Sequence, residues 1–436
     1  MILPPALKGA AARLAVRRQE LQGVPVSILK NPASPSLGVV FLFKDGVAYE
    51  PQELWGIAHL LEHMVFRGTE KHPSLYEVSR RAESLGGRVS AYSTREATAF
   101  WVKMPPGAEE EALGLLVELL TRPLLRPDHL ESEKTVIRQE RLRELSNPGL
   151  AASLLLEGLL LQPDPASRHP IGSEESVAAF DCARLQEHLA RAYHRGAMAV
   201  SAAGCLSPDF EKKLAAALAA FPTGPARRKA AFRVASAGPD APVVLLSSHH
   251  KTQVHLSAGW RFPAFEDERW AWQVLNALLG AGYTSLLNVL LREKEALTYL
   301  CTTKLVFHGE EGLLKINLAL DDKDLGRALP LIENLLADVA GKKVPEALFQ
   351  EAVVRHAAGQ VFQLEDPVET ARALGHGLLR GGEPFTFSRA LERLEGVGFA
   401  QAAELAGKLT PAARKLVLHT GSSRAREVFP DAASMS

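Results

Sequence analysis

The strongest constraint on this chain is that it runs through one succession of elements twice. Segments 24–29 and 37–43 are expected as strands, rich in Val, Leu and Phe and separated by a Pro/Ser turn. Helices are expected over 53–66 and 74–84. Strands follow over 88–92, after the Gly86-Gly87 break, and over 98–104, then long helices over 109–120 and 128–145. The order returns about 216 to 218 residues later. There the strands are 243–246, 254–260, 299–305 and 313–320, and the helices are 268–279, 285–294 and 325–339. The halves also share local wording: RPDHLESEKTVIRQE at 126–140 matches VPEALFQEAVVRHAA at 344–358, with Pro127 on Pro345, Leu130 on Leu348, Glu133 on Glu351 and Val136 on Val354.

A period this long exceeds any solenoid unit, so the chain is expected to be two copies of one α+β domain. Each copy should be a mainly antiparallel or mixed sheet with helices packed on one side. The boundaries fall at 1–221 and 243–436, joined by a linker over 222–242 that is rich in Pro, Gly, Ala and Arg. A length of 436 residues fits this division, being more than one hydrophobic core normally serves.

Composition narrows the partners. Lys plus Arg and Asp plus Glu both total 50, so nothing draws the chain to nucleic acid or an anionic membrane. The basic run Arg227-Arg228-Lys229 is short. Apolar stretches such as 154–161 are interrupted, there by Glu157, and are too short to span a bilayer. The N-terminal segment carries Pro4, Pro5 and several charges where a signal peptide needs an apolar stretch. Cys182, Cys205 and Cys301 are scattered and form no CxxC pair, which suits a reducing compartment. A cytoplasmic protein is expected.

The chemistry is concentrated in the first copy. On the 53–66 helix stands His59-Leu60-Leu61-Glu62-His63, and residues four apart share one helical face, so both imidazoles can reach one ion. A catalytic zinc takes three protein ligands and keeps one position open, so another acidic ligand is needed. The 128–145 helix offers two candidates, Glu133 and Glu140, seven residues apart on one stripe. Residue types alone also allow a packed histidine pair and a solvated acidic helix.

The wording decides between these readings. HxxEH is the inverted zincin motif, and GIAHLLEHMVFRGT over 56–69 resembles the pitrilysin family of zinc peptidases, in particular the short-chain branch that includes mitochondrial processing peptidase. The 76 residues between His63 and Glu140, the glutamate seven residues before Glu140, and HPIGSEESV at 169–177 resemble that family too. The resemblance implies one zinc ion per chain on His59, His63 and Glu140, with Glu133 supporting the site. It makes Glu62 the general base that takes a proton from water and returns it to the leaving amine.

The second copy has no metal motif: 270–280 contains neither His nor Glu, and Ala358 stands opposite Glu140. Its segment GAGYTSLLNVLLREKEALTY over 280–299 resembles the family stretch in which an Arg and a Tyr seven residues on hold the scissile peptide. Arg292 and Tyr299 match that pair. The family further implies a peptide bound as an added strand on the edge 87–92, where Ser90-Ala91 replaces the usual Asn-Ala. It also implies a chamber closed by dimerisation, as a homodimer or with a related subunit. The alternatives are a non-catalytic or partner-dependent subunit, and metal-dependent hydrolysis of something other than a peptide. The adjacent His249-His250 and the isolated His72, His169 and His356 carry no ligand pattern.

Overall fold

The computed structural model describes residues 3–231, 233–234, 241–249, 252–381 and 385–435. His250 and part of the expected linker lie outside the described residues. The first sheet comprises β1 (Val16–Leu21), β2 (Val24–Lys30), β3 (Leu37–Phe43), β4 (Arg88–Ser93), β5 (Thr98–Met104) and β6 (Met198–Gly204), in the order β1-β2-β6-β3-β5-β4. The second comprises β7 (Val243–Ser247), β8 (Gln253–Pro263), β9 (Cys301–His308), β10 (Glu311–Asp321), β11 (Lys415–Thr420) and β12 (Ala433–Met435), in the order β12-β7-β11-β8-β10-β9.

Without the edge strands β1 and β12, the two sheets share one order and one set of directions. The β2–β6 and β7–β11 pairs are parallel and the other neighbours are antiparallel. The duplication read from sequence is a duplication of fold. Only the edges differ. β1 turns back on β2 through Gln22 and Gly23, both with left-handed backbone (φ 54° and 78°), whereas β12 joins β7 in parallel from the far end of the chain. The sequence of β1, VRRQEL, is too charged to reveal a strand, as suits an exposed edge.

Each sheet carries its own helices on one face. Val39, Phe41 and Phe43 pack with Ile57, Leu60 and Leu116. The opposite face is covered by a helix from the other half. Val40 and Leu42 lie in one cluster with Ala371 and Leu374 of the helix Pro367–Arg380, and the Ser201 hydroxyl donates to the Ala371 carbonyl at 2.6 Å. Reciprocally, Leu156 and Leu160 of the helix Pro148–Leu161 pack against Val244, Leu313 and Val417 of the second sheet. A Cβ on Gly38 would fall 2.7 Å from the Pro367–Val368 backbone, so the crossing helix lies flush on β3.

A buried ion cluster joins the same parts. Glu157 on the first crossing helix pairs with Arg95 from the β4–β5 turn at 2.6 Å and with Lys315 of β10 at 2.6 Å. Burial opposes its ionisation, yet His308, Arg95 and Lys315 hold its carboxyl well below the usual range. All three cysteines are free thiols, and no helix among the described residues is long and apolar enough to cross a membrane.

Candidate metal centre

The motif helix is Ile57–Val65, starting four residues later than the periodicity suggested because Gly56 sits in left-handed backbone (φ 93°). A Cβ there would meet the Gly172 Cα at 2.6 Å, so Gly56 is where the segment around Gly172 presses against the helix start. The free N–H groups of this end are taken by a side chain from upstream. Glu50, fully buried, accepts from Gly56 N at 2.7 Å and Ala58 N at 3.0 Å. Desolvation pushes its carboxyl up to about 7; the two N–H bonds and Arg168 pull the other way, and Asp45 adds to the rise.

That shift has a consequence for stability. Glu50 binds its proton more tightly in the folded chain, so its contribution is complete below its ordinary value of 4.5 and is lost as pH rises through about 7. Relative to the parent, Glu50→Gln should therefore gain about 3 kcal/mol between those limits. Denaturation of the metal-free proteins across that pH range checks this, and parallel curves would refute it.

On the helix, His59 and His63 stand one turn apart with ring centroids 4.7 Å from each other. Across from them runs the helix Pro127–Leu145, which brings Glu140 Oε2 to 3.4 Å from His59 Nε2 and 3.6 Å from His63 Nε2. The three donor atoms lie within 4.8 Å of one another, and this is the one such group among the described residues. Glu133, two turns earlier on the same helix, lies 2.8 Å from His63 Nδ1 and pairs with Arg67. Spacing could not separate the two glutamates; position does. Glu133 occupies Nδ1 of His63, which leaves the Nε2 lone pair facing Glu140.

The donor set fits zinc. Two imidazoles and one carboxylate converge, and His59 Nε2 is buried with no hydrogen bond. The local field also suits a cation. Burial works against a charged His63, yet the Glu133 contact and the charges of Glu62, Glu133 and Glu140 hold it above the ordinary imidazole range. Glu140 is held below the usual carboxylate range, chiefly by His59 beside it.

Glu62 lies outside the three-donor group. Its Oε2 is 3.8 Å from His59 Nδ1 and accepts the hydroxyl of Ser93 at the end of β4. Ser90 and Ala91 sit on β4, paired with Trp101 and Phe100; Ala91 packs into the core that holds the motif helix, and the pleat turns Ser90 the other way. Arg292, in the π-helical turn Val289–Lys294, has its guanidinium 4.9 Å from the Tyr299 ring and 5.1 Å from that of Tyr283. Both phenols are largely exposed, and no contact among the described residues joins this cluster to His59, His63 or Glu140. His72, His169 and His356 have ordinary partners in Glu118, Glu144 and Gln273. Ser93 reaches Glu62 only through tertiary contact and was not legible beforehand, while Glu50 and Tyr283 lie near their partners in sequence but follow no helix or motif spacing.

Residues 26–161 match the family Insulinase (Peptidase family M16), and residues 179–354 match Peptidase M16 inactive domain. An uncharacterized zinc protease of Mycobacterium leprae is 27% identical over 413 residues, which is 92% of this chain and 91% of the relative. Cytochrome b-c1 complex subunit 1, mitochondrial, of Bos taurus is 30% identical over 203 residues, covering 44% of this chain and 42% of the relative. Among solved structures, the peptidase M16 inactive domain from Pseudomonas fluorescens superposes with a TM-score of 0.84 at 21% identity, over 94% of this chain and 99% of the other. With both halves matched in order and the HxxEH helix inside the first match, the chain belongs to the M16 (insulinase/pitrilysin) peptidase family.

Proposed function

We propose that this chain is a zinc metalloendopeptidase that cuts small or unfolded peptides held as an extended strand. The observation that carries the reading is the convergence of His59, His63 and Glu140 with Glu62 beside them. His59 and His63 would hold the ion through Nε2, and Glu140 through a carboxylate oxygen. When bound, zinc supplies Lewis-acid polarisation of a carbonyl and acidifies water. Glu62 takes the proton of the attacking water on its carboxylate and returns it to the departing amine nitrogen. Glu133 holds the His63 ring by its Nδ1.

Substrate would add along β4, the end strand of the first sheet, whose outer side pairs with no strand among the described residues. Backbone pairing of this kind gives affinity with little demand on sequence. Arg292 and Tyr299 would donate to the scissile region inside a chamber closed by a second chain, either a copy of this one or a related subunit. On this reading residues 1–221 carry the chemistry, 222–242 link, and 243–436 supply shape and substrate contacts. No nucleic acid or membrane takes part on this reading, in keeping with the neutral charge balance, and the scattered free cysteines suit a cytoplasmic setting.

The test is cleavage of a mixed library of unstructured peptides by the purified protein. Cutting should stop when the metal is chelated and return on adding zinc; cutting that survives chelation sinks the reading. A second reading, a non-catalytic or partner-dependent subunit of a processing-peptidase-like complex, draws on the likeness to the bovine b-c1 subunit. It predicts no cleavage by the zinc-loaded chain alone.

A further inference from the structure

We propose that Ser93 is a positioning residue for Glu62. Its hydroxyl holds one carboxylate oxygen so that the other is presented to water. The inference rests on the peptidase reading above and extends it to a residue outside the HxxEH motif.

The strand pleat puts Ser93 in place. Residues of β4 alternate, so Val89, Ala91 and Ser93 face the core that contains the motif helix, while Tyr92 turns towards Arg372 and His376 of the second crossing helix. Ser93 thus meets Glu62 from the strand side, and its hydroxyl donates to Glu62 Oε2. A hydroxyl has one proton to give, so its other neighbours matter. The partner across the ladder is Thr98, with Oγ1 3.4 Å from Ser93 Oγ. Thr98 spends its own proton on the Asp45 carbonyl at 3.1 Å, so it can only accept from Ser93, and the shorter contact to the charged carboxylate of Glu62 takes the Ser93 proton instead.

The anchor behind this contact is rigid. Thr98 and Asp45 are fully buried, and the Asp45 carboxylate is clamped by His188 at 3.0 Å and Arg227 at 2.6 Å. Burial raises the Asp45 carboxyl, but these two partners outweigh it and bring it down to about 2. Ser93 therefore meets Glu62 from a strand whose ladder partner, Thr98, is itself tied into the buried part of the first sheet. With Oε2 engaged by Ser93 and facing His59, Oε1 is the oxygen free to receive a proton. A glutamate has three rotatable side-chain bonds, and a general base must stay within hydrogen-bond reach of the proton it takes. Fixing one oxygen removes much of that freedom without touching the ion.

The test compares Ser93→Ala and Ser93→Thr with the parent, all loaded with zinc, on one unstructured peptide. Ser93→Ala should lower kcat about 10- to 30-fold with KM within about twofold and zinc content unchanged. Ser93→Thr keeps a hydroxyl and should recover to within about threefold of the parent. Unchanged kcat in Ser93→Ala, equal losses in both variants, or loss of zinc would each overturn the proposal. A second readout needs no activity. Crystal structures of metal-free parent and Ser93→Ala should show the Glu62 carboxylate in one orientation in the parent and in several in the variant, and one shared orientation would also overturn it. If Glu62→Gln cuts as fast as the parent, Glu62 is not the base, and if the zinc-loaded parent cuts no peptide, the peptidase reading fails; in either case the carboxylate orientations still decide the Ser93 contact.

Discussion

Glu62→Gln should keep its zinc and lose about 10²- to 10⁴-fold in peptide turnover. The amide matches the carboxylate in size and can still accept the Ser93 hydroxyl, so the helix and its two imidazoles have no reason to move. What it cannot do is take a proton from water. Zinc content at parental level, combined with loss of turnover, separates the base from the ligands. Turnover within about tenfold of the parent would remove Glu62 from the reaction.

His59→Ala should fail in the opposite manner, by releasing the ion. Three donors within 4.8 Å become two, and the affinity for zinc should drop on the order of 10³-fold. Peptide turnover then falls as a consequence of empty sites and partly returns at high zinc. Glu133→Gln gives the contrast. It leaves the donor set intact but weakens the group that orients His63 Nδ1, so the loss should be milder, about 10- to 100-fold in affinity. Competition with a chelator of known affinity measures both. Full zinc retention by His59→Ala would undo the ligand assignment.

How far these sites were legible depends on how local the geometry is. His59 and His63 could be read from helical periodicity alone, because four residues bring them to one face whatever the rest of the fold does. Strands β3 and β5 have the expected limits, since each is a largely apolar run and Pro105-Pro106 closes the second. The choice between Glu133 and Glu140 was not available from spacing, for both lie on one stripe and only the approach of the second helix tells them apart. The start of the motif helix was missed because a left-handed Gly56 stops it, and its cap, Glu50, comes from outside the helix. The expected helix over 285–294 ends in a π-helical turn that carries Arg292. The helix Pro148–Leu161 announces by its all-round apolar character that it is buried, but nothing in its composition says against which sheet.

That last feature bears on what can be done with this gene. Because each half lends a helix to the back of the other half's sheet, the two copies are not modules that can be cut apart at the linker. A fragment ending near residue 221 would retain every predicted zinc donor and still expose Val40 and Leu42 to water, while its own departing helix Pro148–Leu161 would have lost its bed. The second copy is thus a tenant the first cannot evict. Its persistence needs no catalytic justification, and attempts to trim the chain to its first half should yield insoluble protein unless the second half is supplied alongside.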